Sequence, residues 1–261
     1  MDYVHSRANP VVKHLIKLAT QRRERLRSKQ SVLVGTHLIE SALDHAFTLQ
    51  HVFVRDGSSQ HNEVATLIER CEAQRIRMTT LSGELFDAIE QMPSHTGILA
   101  LFEFPHVEDF NATRGAVLIE NVQDPGNVGS ILRTCAASTV EQVWLSKGCA
   151  DVWSPKVLRA AMGAHFLLDI IENVELDALP DVSIAVTSLG DRSKSLYDVK
   201  FERDLVLAFG AEGAGASDEL LARASHPLHI PMSGRVESLN VAAAAAICIF
   251  ERERQLLASA E

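Results

Sequence analysis

Short apolar runs alternate along the chain with segments of helical periodicity. After Asn9-Pro10, the spacing of Val11, Leu15 and Leu18 predicts a helix over residues 11–27. Strand-like runs then fall at 32–35, 51–56, 76–80 and 97–104, and helix-like segments lie between them at 36–46, 62–74 and 82–90. This order predicts a small α/β domain over residues 1–105.

A second α/β domain is predicted over residues 115–261, after an aperiodic linker at 106–114. Its strands fall at 115–121, 142–146, 183–189 and 204–210, and its helices begin near 128, 155, 217 and 238. These strands lack the polar alternation of a half-exposed sheet, which indicates a parallel sheet covered on both faces. We therefore expect an α/β protein whose larger, C-terminal domain is built on a parallel sheet.

Composition places the chain among folded proteins, since 46% of its 261 residues are hydrophobic and 23% are charged. No run approaches about 18 apolar residues, so we expect no membrane-spanning helix. The start lacks the apolar core of a secretory signal, although its basic, amphipathic character leaves an organelle-targeting sequence as a less favoured alternative. The four cysteines show no C-x-x-C spacing, which favours a reducing, cytoplasmic setting.

Charge is distributed unevenly. The net charge is −9, yet residues 1–30 hold eight Lys and Arg against two acids. Such asymmetry indicates an anionic partner, but a solvated helix face explains it equally well, so charge alone leaves both interpretations open. The candidate RNA-binding cations are Lys13, Lys17, Arg22, Arg23, Arg25 and Arg27.

Several common enzyme signatures are absent from the sequence. The glycine-rich segment 210–215 does not match G-x-G-x-x-G, and no P-loop Lys-Ser/Thr pair follows it. Neither H-E-x-x-H nor G-x-S-x-G occurs. His226 and His229 flank a proline on an apparent strand, so surface or packing roles are favoured over a zinc site. We expect no metal.

Three segments stand at the ends of predicted parallel strands, where open α/β sheets bind ligands: 119–137, 205–217 and 229–246. In the first, the turn Asp124-Pro-Gly-Asn127 leads into a helix near Val128, whose free N–H groups suit an anion and whose Arg133 reaches a phosphate or carboxylate. Three glycines in the second let the backbone lie close to a flat ligand. The third leads into a helix capped by Ser238 or Asn240. Each segment alone also fits an ordinary turn or cap.

Together these segments resemble the three motifs of the SpoU branch of the SPOUT RNA methyltransferases. The pattern N-x-G-N-x-G-x-x-x-R is met by residues 124–133 except at Asp124, and F-G-x-E-x-x-G is met by 209–215. The pattern I-P-M-x-G-x-x-E-S-L-N-V is met in full by 230–241. The resemblance covers residues 115–255, and the first hundred residues resemble more loosely the L30e-like RNA-binding domain common in the family.

The resemblance implies S-adenosylmethionine as cofactor, held in a deep trefoil knot that forms when the C-terminal segment threads through a preceding loop. The implied cofactor-binding residues are Thr187, Gly210, Gly213, Ile230, Met232 and Leu239. Arg133 is implied as the catalytic residue that orients or polarises a ribose 2′-hydroxyl. The residues implied to hold that arginine and the ribose are Asn127, Glu212, Ser238 and Asn240. The chemistry requires no metal.

The resemblance also implies a substrate and an assembly. The substrate would be structured RNA, with large-subunit rRNA favoured over tRNA because L30e-like domains bind folded RNA elements. The alanine-rich last helix would pack at a homodimer interface of the SPOUT domain, with the partner completing the active site. A different class of function stays open, namely an RNA-binding protein with this fold and little catalysis.

Overall fold

The computed structural model describes residues 1–90, 97–190 and 192–259. Packing divides the chain into two units, of which the first comprises Met1–Pro105 with Trp153–Phe166 and the second His106–Val152 with Leu167–Glu261. The elements up to residue 105 are β1 (Asp2–Val4), α1 (Pro10–Thr20), α2 (Arg22–Ser28), β2 (Gln30–Val34), α3 (Thr36–Asp44), β3 (Leu49–Arg55), α4 (Asn62–Ala73), β4 (Met78–Leu81), α5 (Gly83–Glu90) and β5 (Ile98–Glu103). The later elements are β6 (Ala116–Ile119), α6 (Pro125–Ala136), β7 (Gln142–Ser146), α7 (Pro155–Ala161), β8 (Asp169–Val174), β9 (Ile184–Thr187), β10 (Lys194–Ser195), β11 (Val206–Phe209), α8 (Asp218–Ala222), β12 (His226–His229) and α9 (Val241–Ala258).

The first unit is built on a mixed five-stranded sheet in the order β1-β4-β3-β5-β2. The strands β1, β4 and β3 run parallel, and β5 lies antiparallel between β3 and β2. The strands and helices predicted between residues 32 and 104 lie within two residues of the observed ones. Strand β1 was not predicted, because three residues are too few to show an alternating pattern.

The helix predicted over residues 11–27 is broken in the structure. Asn9 caps α1 by accepting a hydrogen bond from the Val11 N–H at 2.9 Å, but the backbone turns extended at Gln21 and a separate helix, α2, follows. The buried face of α1 is also displaced by one residue, because Val12 rather than Val11 packs in the core with Leu15. The prediction was therefore right about a helix and wrong about its length and about Val11.

A segment from the second half of the sequence packs within the first unit. Helix α7 lies against β2, and the Ser31 hydroxyl donates to the Trp153 carbonyl at 2.6 Å. The Trp153 ring stacks on Phe104 with 4.6 Å between ring centroids. This return was not predicted, because the predicted linker at 106–114 assigns residues 153–166 to the C-terminal domain.

The second unit is built on a seven-stranded parallel sheet in the order β10-β12-β9-β11-β6-β7-β8. The predicted parallel α/β sheet is confirmed. Strand β8 was not predicted, because it lies at the edge of the sheet and acidic residues interrupt its apolar run. Helices α6 and α9 pack against each other.

Both helices that border the predicted site have side-chain caps. Helix α6 begins at Pro125, three residues before the predicted start, and the Asp124 carboxylate accepts from the Asn127 N–H at 2.8 Å. The polar Asp-Pro-Gly-Asn segment is therefore the cap and first turn of the helix, with proline at the first helical position. Helix α9 begins at Val241, and Asn240, not Ser238, is its cap.

Candidate active site

The three predicted motifs follow three of four strands that are neighbours in the sheet. Strands β12, β9, β11 and β6 lie side by side and run parallel. Because the C-terminal ends of parallel strands meet at one edge, the loops that follow them share that edge. In the described residues these are the loops at 120–124, 188–190, 210–217 and 230–240.

A chain of hydrogen bonds joins one residue from each motif. Asn127 Nδ2 donates to Glu212 Oε1 at 2.7 Å, and Asn240 Nδ2 donates to Asn127 Oδ1 at 2.9 Å. Asn240 Oδ1 accepts from the Ala242 N–H, so the same side chain also caps α9. Each of the two amide groups uses both its donor and its acceptor. The starts of α6 and α9 are thereby fixed to the 210–217 loop.

The 210–217 loop is a tight hairpin with Glu212 near its tip. Ala211 and Gly215 exchange two backbone hydrogen bonds, of 2.9 and 3.0 Å. A Cβ added at Gly210 would lie 2.2 Å from the Ala216 nitrogen, so the returning chain of the loop occupies that space. The sequence predicts that this glycine lets the backbone lie close to a flat ligand. The structure gives a different reason for it, which is the close approach of the loop to itself.

Arg133 lies on the exposed face of α6, and Ser238 is exposed in the 230–240 loop. Within the described residues, the Arg133 guanidinium forms no hydrogen bond or ion pair with the protein. Asn127, Glu212 and Asn240, expected to hold this arginine, bond to one another instead. The guanidinium is left available to a substrate group.

The residues implied to bind the cofactor lie at the strand ends and on the loops of this edge. Thr187 is half-buried and its hydroxyl donates to the Ala208 carbonyl at 3.4 Å. Ile230 and Met232 are half-buried, whereas Leu239 and Gly213 are exposed.

The surroundings of these loops fit an adenosyl group. Apolar side chains are exposed here, with Leu189 at 71% and Val236 at 60% of their full accessibility. In the described part of the chain, residues 232–239 donate no backbone hydrogen bond to a protein group. No atom lies within 4 Å of a Cβ added at Gly213 or Gly234. Apolar surface, free N–H groups and open space are what an adenine and its ribose require.

Glu120 belongs to the same edge and was not predicted. It follows β6 directly and is only 3% exposed. Its carboxylate accepts from the Ser217 N–H at 2.8 Å and from the Ser217 hydroxyl at 2.5 Å. The available signal was an acid placed at the end of an apolar strand, but its partner lies 97 positions away in the sequence.

The structure divides the basic N-terminal residues by exposure. Lys13 and Lys17 are exposed on one face of α1, and Arg23 and Arg27 are exposed on α2, where Arg27 pairs with Glu24 at 2.5 Å. Arg22 is half-buried. Arg25 is 5% exposed and its guanidinium donates to the Leu18 carbonyl, where it holds α2 against α1. Burial of this charged group in the interior speaks against the predicted contact of Arg25 with RNA.

The cysteine thiols are buried and protonated, so we assign them no catalytic role. All four cysteines are free and buried, and burial raises the pKa of Cys135 and of Cys248 to about 12.

Among the described residues, no group of three or more His, Cys, Asp and Glu side chains is arranged to hold a metal ion. In the same part of the chain, none of the helices is both long and apolar enough to cross a membrane.

Comparison with known families gives two matches. Residues 115–250 match the SpoU rRNA methylase family. Residues 32–107 match the domain described as RNA 2′-O ribose methyltransferase substrate binding.

Individual relatives match over almost the whole chain. An uncharacterized tRNA/rRNA methyltransferase of Synechocystis is 34% identical, over 97% of this chain and 93% of its own length. The 23S rRNA (guanosine(2553)-2′-O)-methyltransferase RlmP of Bacillus subtilis is 31% identical, over 96% and 98%. The crystal structure of an AdoMet-bound rRNA methyltransferase from Sinorhizobium meliloti superimposes with a TM-score of 0.84 at 26% identity, over 98% of each chain.

The fold and the joined motifs therefore define a class, the S-adenosylmethionine-dependent RNA methyltransferases. The chain belongs to the SpoU rRNA methylase family. The family, the type of enzyme and the cofactor predicted from the three motifs are confirmed.

Proposed function

We propose that this chain transfers a methyl group from S-adenosylmethionine to a ribose 2′-hydroxyl of large-subunit rRNA. The family match and the substrate-binding match at residues 32–107 support an RNA substrate. The relative RlmP, named for 23S rRNA, favours rRNA over tRNA. The exposed cations Lys13, Lys17, Arg23 and Arg27 supply the positive charge that phosphate binding requires in an otherwise acidic chain.

The proposed reaction depends on positioning. The cofactor supplies a methyl group on a sulfonium, which is already a strong electrophile. The protein has to place the 2′-oxygen in line with that methyl group, so that the new bond to oxygen would form as the bond to sulfur breaks, and to stabilise the negative charge that develops as the hydroxyl proton passes to solvent water. Arg133 carries this second role, because a guanidinium stays protonated and acts as a donor rather than a base. Ser238, exposed on the neighbouring loop, contacts the ribose.

The observation that carries this proposal is the chain of hydrogen bonds from Glu212 through Asn127 to Asn240. It ties the 210–217 loop to the starts of α6 and α9 and so brings together the loops of one sheet edge. We assign to the cofactor pocket the residues at this edge that the motifs imply: Thr187, Gly210, Gly213, Ile230, Met232 and Leu239. Gly210 contributes through its backbone and through the loop that it allows to close.

A comparison of RNA from three strains tests the substrate. Ribose 2′-O-methylation is mapped across total RNA in a wild-type strain, in a deletion strain and in the deletion strain complemented with this chain. We expect one site in large-subunit rRNA to lose its methyl group in the deletion strain and to regain it on complementation. Loss of a tRNA site would transfer the assignment to tRNA, and an unchanged methylation map would favour a non-catalytic RNA-binding protein.

We propose a homodimer that forms through α9. Three residues at helical spacing form an exposed apolar stripe on this helix, Ala243, Ile247 and Phe250, and Leu257 lies on the same face beyond Arg254. Phe250 is 50% exposed, and exposed apolar patches mark interaction sites. Sedimentation should show a dimer that Phe250→Glu converts to a monomer. The control Tyr197→Glu, at an exposed aromatic residue outside α9, should leave the dimer intact.

Two further features complete the proposal. The C-terminal segment that leads into α9 passes through a preceding loop as a trefoil knot. The insertion of the last strand, β12, between β9 and β10 supports this path. The protein acts in the cytoplasm, because its four buried cysteines form no disulfide.

A further inference from the structure

The buried carboxylate of Glu120 holds one end of the 210–217 loop. The Glu120 N–H donates to the Phe209 carbonyl at 2.8 Å, which places Glu120 beside the strand that leads into the loop. Its two carboxylate oxygens bind the N–H and the hydroxyl of Ser217, the last residue of the same loop. Glu120 therefore bonds to the chain on both sides of the hairpin.

Ser217 links the loop to the helix that follows. Its hydroxyl oxygen accepts from the Leu220 N–H at 3.1 Å and so caps α8, while its proton is donated to Glu120. Helix α8 has only five residues, which is too short to hold its own position. The bond to Glu120 thus fixes both the loop and the start of α8.

The loop has few other constraints. In the described chain, the backbone hydrogen bonds within residues 211–216 are the two between Ala211 and Gly215. The hairpin tip is fixed by Glu212 bonding to Asn127, and its end is fixed by Ser217 bonding to Glu120. A carboxylate buried at 3% exposure needs both hydrogen bonds to offset its lost hydration, so carboxylate and loop stabilise each other.

We infer that Glu120 is a positioning residue for cofactor binding, which acts through Ser217 to hold the 210–217 loop in its binding shape. The inference rests on the proposed location of the cofactor pocket at this loop. Glu120 itself does not touch the cofactor. Its loss should weaken cofactor binding and leave RNA binding unchanged.

Cofactor affinity is measured by calorimetry on the full-length protein without RNA. We expect Glu120→Ala and Ser217→Ala each to weaken S-adenosylmethionine binding by about tenfold, as for the loss of one hydrogen bond to a charged group. The double variant should bind S-adenosylmethionine about as tightly as each single variant does, because both substitutions remove the same contact. Ser217→Thr keeps the hydroxyl and should bind as the wild type does. Asp177→Asn, an exposed carboxylate lining the same 280 Å³ cavity as Glu120, is the matched control and should also bind normally.

Two more readouts separate positioning from a loss of stability. Hydrogen exchange in the cofactor-free protein should become faster in residues 210–220 of Glu120→Ala and stay unchanged in α6. In steady-state kinetics KM for S-adenosylmethionine should rise, while KM for RNA and kcat stay close to their wild-type values.

The outcomes are distinguishable. Wild-type protein that does not bind S-adenosylmethionine would overturn the proposed function. Wild-type binding together with unaffected affinity in folded Glu120→Ala and Ser217→Ala would overturn the role of Glu120 alone. A variant that loses only kcat or folded fraction, with wild-type affinity, would also overturn it.

Discussion

The central side chain of the hydrogen-bond network, Asn127, provides the most quantitative prediction. Asn127→Ala removes a bond to a carboxylate and a bond to a neutral amide. In a dry interior these would be worth about 1.5–3 and about 0.5–1.5 kcal/mol. Glu212 and Asn240 are exposed, however, so water replaces the lost partner. We therefore expect the free energy of unfolding to fall by only about 1 kcal/mol.

The local effect of Asn127→Ala should exceed its effect on stability. Without this side chain the 210–217 loop and the start of α9 are no longer joined, and we expect the affinity for S-adenosylmethionine to fall by about tenfold. Asp124→Ala is the matched control, because it removes the cap of the same helix at a similar cost of about 1 kcal/mol but leaves the Asn127 side chain in place. Denaturant unfolding and calorimetry measure the two quantities. Equal cofactor affinities in the two variants would refute the reasoning.

Three other predictions concern the first unit and the cysteines. Replacing the four exposed cations, Lys13, Lys17, Arg23 and Arg27, by Gln should flatten the salt dependence of RNA binding and leave cofactor affinity unchanged. The variant Arg25→Ala should instead mainly lower the stability of the protein. Burial lowers the pKa of His51 to about 4, so as the pH falls below 6.5 this histidine is protonated in the unfolded chain before it is protonated in the folded protein. Between pH 7 and pH 5 the free energy of unfolding of the wild type should therefore drop by about 1 kcal/mol more than that of His51→Gln. An equal drop in both proteins would contradict this. Cys135 and Cys248 should resist alkylation at pH 8 until the protein unfolds, and rapid labelling of the folded protein would refute their high pKa values.

The elements and motifs could be predicted because their signals are local. An apolar strand followed by a polar turn and a helix cap occupies a dozen neighbouring residues, and Asn127, Glu212 and Asn240 each stood in such a segment. Their meeting at one edge followed from parallel strands, whose C-terminal ends lie together.

Contacts between distant parts of the chain left no local signal. The return of residues 153–166 to the first unit is stabilised by the Trp153 ring, which stacks on Phe104 from a distant part of the chain. The sequence predicts that a flat ligand approaches the backbone at Gly210, whereas in the structure the group that approaches it is Ala216 of the same loop.

The role of Arg133 tests the account most directly, because its guanidinium is exposed and makes no contact that stabilises the described fold. The measurement is single-turnover methylation of rRNA from a deletion strain, with cofactor binding measured on the same samples. We predict that Arg133→Ala is slower by about 10²-fold or more with unchanged cofactor affinity, that Arg133→Lys rescues poorly, and that Ser130→Ala on the same helix face behaves as the wild type. Near-normal methylation by Arg133→Ala would contradict the catalytic assignment.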